Sequence, residues 1–147
     1  MRALRVILLT ALVAGCHFDK LFNSSGGGAA SRGGGGPPAA THLIFLTQPS
    51  DAATGAPIAP PVRVAAEDDQ DRVVTTFSGT ISIAIGHNGS LLGNAQLGGT
   101  KDVAAVNGIA TFTDLSIDQP GVSDYTLVAS SSALASAQSA PFKVTGP

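Results

Sequence analysis

Catalysis and metal binding need polar or nucleophilic side chains that converge, and this chain offers few sets of them. Glu67, Asp68, Asp69 and Asp71 form its one acidic cluster. Calcium takes several oxygen ligands around one point, and inter-strand loops can supply them. The cluster lacks the longer, spaced loop of an EF-hand, and Arg72 stands beside it as a partial counter-charge. These four residues are therefore a weak calcium candidate, and a solvated hairpin tip is the favoured reading. His17, His42 and His87 are scattered along the chain. A metal site needs two or more convergent ligands with outer support, so no histidine metal site and no cofactor are expected. The serines of 130–139 sit in no G-x-S-x-G setting and have no paired base. The glycine runs at 26–28 and 33–36 follow no strand and precede no Lys-Ser/Thr, which excludes a phosphate loop. The chain is not expected to be an enzyme.

One reactive side chain remains. Cys16 is the single cysteine, so an internal disulfide framework and a thiolate zinc site are both excluded. It ends a segment with three parts: "MRALR" with Arg2 and Arg5, the apolar "VILLTALV", and the small pair Ala14-Gly15. A basic start, an apolar middle and small residues at the end are the order of a secretory signal. The apolar run is far below the ~20 residues that span a bilayer as a helix, which argues against a lasting transmembrane anchor.

Val13-Ala14-Gly15-Cys16 resembles the lipobox of bacterial lipoproteins. The resemblance implies cleavage after Gly15 and a diacylglyceryl group on Cys16, which becomes the first residue of the mature chain. Two or three acyl chains hold firmly, since each buried CH₂ contributes about 0.8 kcal/mol and one chain alone is marginal. In such lipoproteins of Gram-negative bacteria, Asp directly after the cysteine retains the protein at the inner membrane. His17 stands there instead, which implies the outer membrane or cell surface.

Residues 16–40 follow as a lipid-anchored tether. Phe18, Leu21 and Phe22 could rest on lipid, but "HFDKLF" is too short for a stable helix of its own. Seven of the eighteen residues 23–40 are glycine. Such a segment cannot bury enough apolar area to offset its ordering entropy. A coil of roughly 20–25 Å end to end is expected, stiffer at Pro37-Pro38. The formal charge of the whole chain is −2, so no basic field attracts nucleic acid.

From residue 41 onward the pattern is that of short strands. "HLIFLTQPS" opens. "APIAPP" is too rich in proline for a central strand. "VRVAAED" places Val62, Val64 and Ala66 on one face and Arg63 on the other. "RVVTTF" is expected to continue toward Ser78-Gly79. "TISIAI" has a clean period of two, with Ile81, Ile83 and Ile85 together. Residues 86–100 are the longest irregular stretch. Its Leu91, Leu92 and Leu97 are expected to tuck over one end as a cap, with exposure for binding as the alternative. Asn107-Gly108 is a type I′ hairpin signal. Pairing Val106 with Ile109 puts Val103, Ala105, Ala110 and Phe112 on the core face. Tyr125, Leu127 and Ala129 share a later face, and Phe142 and Val144 close the chain. Tyr125 fits a tyrosine corner, whose hydroxyl bonds to upstream backbone. About seven or eight strands without helices predict an all-β, immunoglobulin-like antiparallel β-sandwich over 41–147.

"LIFLTQPS", "RVVTTFSGTISIAI", "NGIATFTDLSID" and "DYTLVASSSALASAQSAPFKV" together resemble one bacterial immunoglobulin-like repeat of the invasin and intimin type. The family often carries glycine in the turn where Asp71 stands; Asp reaches left-handed geometry less readily. The resemblance implies a fold and leaves function open. The expected function is an envelope- or surface-anchored lipoprotein that displays one sandwich as an adhesion or binding module. Its partners would be the membrane, through the lipid, and a protein or glycan ligand. The alternative is an envelope-associated structural lipoprotein that packs against membrane partners without an external ligand.

Overall fold

The computed structural model describes residues 36–146; the signal segment, Cys16 and the tether as far as residue 35 lie outside them. Among the described residues, eleven short strands follow one another. They are β1 (His42–Thr47), β2 (Ala52–Ala53), β3 (Val62–Glu67), β4 (Thr80–Ile85), β5 (Leu97–Gly98), β6 (Asp102–Ala104), β7 (Ile109–Phe112), β8 (Ser116–Ile117), β9 (Leu127–Ser130), β10 (Ala137–Gln138) and β11 (Val144–Thr145). Seven of them make the two principal sheets, in the orders β1-β3-β7 and β10-β9-β4-β6. Every pairing within those sheets is antiparallel. The remaining strands form two small ribbons, of which β2–β11 is parallel.

The sheets face one another across a single apolar cluster. Leu43, Phe45, Val62, Val64, Ala66, Ala110 and Phe112 enter it from the first sheet, and Ile81, Ile83, Leu127 and Ala129 from the second. This is the period-two pattern turned into packing: alternate residues go inward, and the intervening Arg63 and Thr111 stay exposed. Ile85 is partly buried against the same cluster. Tyr125 is fully buried, and its hydroxyl donates to the Gln119 carbonyl at 3.1 Å. The tyrosine corner is thus present, its ring 6.1 Å from that of Phe142.

Two expectations need correction. Residues 72–77 form no strand. The Asp68 amide still donates to the Arg72 carbonyl and the Val74 amide to the Ala66 carbonyl, but Phe77 N–H then bonds back to Val74 and the chain crosses to the second sheet. A strand of ordinary length would hold these residues in the first sheet and prevent that crossing. The Asn107-Gly108 turn does have both residues at positive φ, 51° and 79°, as type I′ requires. Val106 and Ile109 exchange both hydrogen bonds across it, at 2.9 and 3.1 Å. Yet the hairpin ends there. β6 leaves to pair with β4, and β7 with β3. The turn is a corner between sheets, with Ala105, Ala110 and Phe112 buried and Val103 partly buried inside it.

The pairing directions define two ends. β1 begins and β3 ends together, since His42 pairs with Glu67. The Asn107-Gly108 turn and the start of β4 lie at this end, because Phe77 and Gly79 bond to Gly108 and Ala105. The chain enters the domain here. β4 then runs away from it, so residues 86–95 emerge at the opposite end, beside residues 119–124, through a bridge between Ser90 and Gly121.

Candidate functional site

At the end where β1 begins, the turn between β3 and Val73 gathers the acidic residues. Asp68 is nearly buried and fully engaged. Its Oδ1 accepts the Gln70 and Arg72 amides at 2.9 and 3.2 Å, and its Oδ2 accepts Arg72 Nε and Nη2 at 3.0 and 2.8 Å. The guanidinium, helped by these amides, holds the Asp68 carboxyl below its ordinary range. A carboxylate with a lowered folded pKa stabilises the fold above its unfolded value, near 3.8, and that contribution is lost as pH falls through the folded value. Asp114 behaves alike, held down by the amide and hydroxyl of Thr100. Asp68→Asn should therefore lower the melting temperature at neutral pH and leave it nearly unchanged well below pH 3.8. A gap between variant and wild type that persists at such acid pH would show that the charge is not what stabilises this turn.

Asp69 is exposed and joins no hydrogen bond or ion pair among the described residues. The four acids adjacent in sequence are thus not four convergent ligands. The residues that do converge are His42, Glu67 and Asp71, whose ligand atoms all lie within 4.8 Å of one another. His42 Nε2 stands 3.6 Å from Glu67 Oε2 and 3.7 Å from Asp71 Oδ1. Cross-strand pairing of β1 with β3 brings His42 to Glu67. A left-handed Asp71, φ 56°, closes the turn and brings the third group, so Asp takes the place that glycine often fills. Local periodicity carried no signal of this set. Only the β1–β3 register reveals it.

At the other end, the loop 86–95 is built on Asn88 and Ser90. Asn88 Oδ1 accepts the Ser90 amide and hydroxyl at 3.2 and 2.9 Å, and its Nδ2 donates to the Ala95 carbonyl at 3.1 Å. Ser90 Oγ accepts the amides of Asn94 and Ala95. These bonds pin the base and turn the tip outward. Leu91 and Leu92 are each 78% exposed, and Val122 on the adjoining loop is 70% exposed. The expected cap is therefore not formed by Leu91 and Leu92. Ala95 is buried in that region and Leu97 packs partly against the core, which leaves the two leucines nothing to cover. An open pocket of about 440 Å³ lies beside Val122, lined also by Ser123, Asp124 and Lys143.

No protein-family model matches this chain, and no curated protein matches it. Among solved structures, the chain is similar to domains 4–9 of the surface layer protein SbsC, at 12% identity and a TM-score of 0.48, over 75% of this chain and 15% of that one. It is also similar to domains 4 and 5 of the S-layer protein SbsC, at 14% identity and a TM-score of 0.45, over 74% of this chain and 53% of that one. The chain thus spans a small part of the first and about half of the second.

Proposed function

We propose that this protein is a lipoprotein held at the bacterial envelope by Cys16, and that it presents one β-sandwich as a binding module for a protein ligand. One observation carries the reading. The exposed pair Leu91-Leu92 lies at the end of the sandwich opposite the point where the chain enters from the tether side. A lipid anchor followed by a glycine-rich spacer would leave that end free to meet a partner. Exposed aliphatic residues adjoining on a pinned loop favour a protein surface over a glycan, since apolar side chains left together in solvent mark sites of apolar contact with a partner. The end also lacks an exposed aromatic among the described residues.

The test has two arms. Cys16→Ser in the native host should leave the protein uncleaved or release it from the membrane fraction, whereas the wild type stays membrane-bound. A Cys16→Ser variant still cut after Gly15 and still retained would refute the lipid anchor. In the second arm, the full-length protein in detergent is screened against arrayed extracellular proteins and glycans. Binding to a protein should be lost in the Leu91→Ser/Leu92→Ser double variant. Binding that survives the double change, or binding to glycans alone, would refute the tip as the contact surface.

A further inference from the structure

We propose that His42, Glu67 and Asp71 form a site for one divalent metal ion of the zinc class, at the end where the chain enters the sandwich. The first support is geometric. Tetrahedral ligands about 2.0–2.2 Å from zinc stand roughly 3.3–3.6 Å from one another. The imidazole nitrogen lies 3.6 and 3.7 Å from the two carboxylate oxygens, too far for direct hydrogen bonds and close to the spacing around a shared ion. The two carboxylate oxygens lie within 4.8 Å of each other, and the exposed Asp71 side chain is free to turn inward onto the ion.

The second support is Glu67 itself. Its side chain is only 8% exposed. Among the described residues its carboxylate accepts no hydrogen bond, and it faces His42 at 3.6 Å and the Asp71 carboxylate within 4.8 Å. Its oxygens still touch solvent, since no fully buried polar side-chain atom among the described residues lacks a partner, but two carboxylates set this close repel, and a cation between them relieves that. The Arg72 guanidinium is engaged elsewhere, making two bonds to Asp68.

The third support is the tautomer of His42. Thr41 Oγ1 lies 3.1 Å from His42 Nδ1 and can donate its own proton to the Glu67 carbonyl at 3.4 Å. It is then an acceptor for Nδ1–H. In that tautomer the Nε2 lone pair faces two carboxylates, and a metal ion there would take the place of the proton that otherwise sits between them. A ligating imidazole typically gives its other N–H to an oxygen in this way, which fixes ring orientation and raises basicity. Asp71 supplies the outermost ligand, held by a bond from its amide to the Asp68 carbonyl at 3.1 Å. Three protein ligands leave a fourth position open to water. Calcium suits the set poorly, because it takes six to eight oxygens and imidazole nitrogen favours zinc and its neighbours.

The test titrates Zn²⁺, and separately Co²⁺ and Ca²⁺, into the full-length protein in detergent. One equivalent of Zn²⁺ should bind and raise the melting temperature with concentration, as a ligand of the native state does. Co²⁺ should give the visible absorption of a tetrahedral N/O site. Asp71→Asn and His42→Gln should each weaken binding at least tenfold, and Thr41→Val should weaken it about 10–100-fold by freeing the ring. Asp69→Asn should bind as the wild type does. Glu67→Gln risks the fold, but the Asp71 side chain is 88% exposed, so its substitution tests the site without disturbing the core. The proposal is overturned by the absence of saturable Zn²⁺ binding, by affinity unchanged in Asp71→Asn and His42→Gln, or by Ca²⁺ stabilising the protein as well as Zn²⁺.

Discussion

Phe112→Ala is expected to destabilise the domain by about 3–5 kcal/mol, from lost transfer energy and the cavity left behind. Domains are held by roughly 5–15 kcal/mol in all, so the change removes a large share. Each kcal/mol moves the melting midpoint by about 4–8 °C in a domain near this size. The fall should therefore be roughly 12 °C or more. Phe112 is 1% exposed, pairs with Val62 across the first sheet and points into the cluster shared with the second. The core has few substitutes for it. There is no Trp and no disulfide, and only four phenylalanines lie in the domain, of which Phe77 is partly exposed. Thr111→Ala is the control. Thr111 is the preceding residue, is exposed, and faces away, so its replacement should change stability by no more than about 0.5 kcal/mol. Thermal or denaturant unfolding of the two variants measures the contrast. If Thr111→Ala were as damaging as Phe112→Ala, the placement of β7 would be wrong by one residue, since a single-residue slip exchanges the faces.

That contrast was readable in advance because a period of two is a local property. Phe112, Ala110, Tyr125, Leu127 and Ala129 are all buried as their spacing requires. Asn107-Gly108 was readable for the same reason: few residue pairs tolerate two successive positive φ values. What the local pattern does not contain is the identity of the neighbouring strand. The same alternation fits a hairpin whose arms stay paired and a corner whose arms part, so the divergence of β6 and β7 was invisible. The segment 72–77 departs from its local pattern for a related reason. Val73, Val74 and Phe77 have strand-like chemistry, but their apolar side chains serve a crossover that still needs to bury Val74. The candidate metal ligands show the limit most clearly. Glu67, Asp68, Asp69 and Asp71 drew attention by adjacency, whereas convergence depends on a β1–β3 register linking residues 25 positions apart. Asp68 was removed from the set by Arg72, four residues on. His42 was added by the register alone. Leu91 and Leu92 stay exposed because hydrophobicity leads to burial only where a surface remains to be covered. Ala95 and Leu97 already occupy that surface.

Gly108→Ala is the second large effect, and it tests the corner itself. Gly108 has φ 79°, a conformation that costs an L-residue roughly 1–2 kcal/mol. Space is the larger obstacle. A Cβ at this position would lie 2.5 Å from the Val74 carbonyl oxygen and 2.9 Å from Val73 Cγ1. The Val74 carbonyl cannot swing aside freely, because it accepts the Phe77 amide at 2.9 Å while the Gly108 amide donates to the Phe77 carbonyl. Overpacking of this kind costs about 1–3 kcal/mol, so the total should fall near 2–5 kcal/mol. Gly55→Ala separates the two contributions. Gly55 has nearly the same φ, 74°, but a Cβ there would meet nothing within 4 Å. It should cost only the conformational part. Denaturant midpoints of both variants, measured with an unchanged m-value, give the difference directly. A clear excess for Gly108→Ala means that the crossover 73–77 is held hard against the turn, and that one glycine lets the chain pass from one sheet to the other at close range. Equal losses at the two sites would mean that the crossover yields, and the tight corner between β6 and β7 would have to be abandoned.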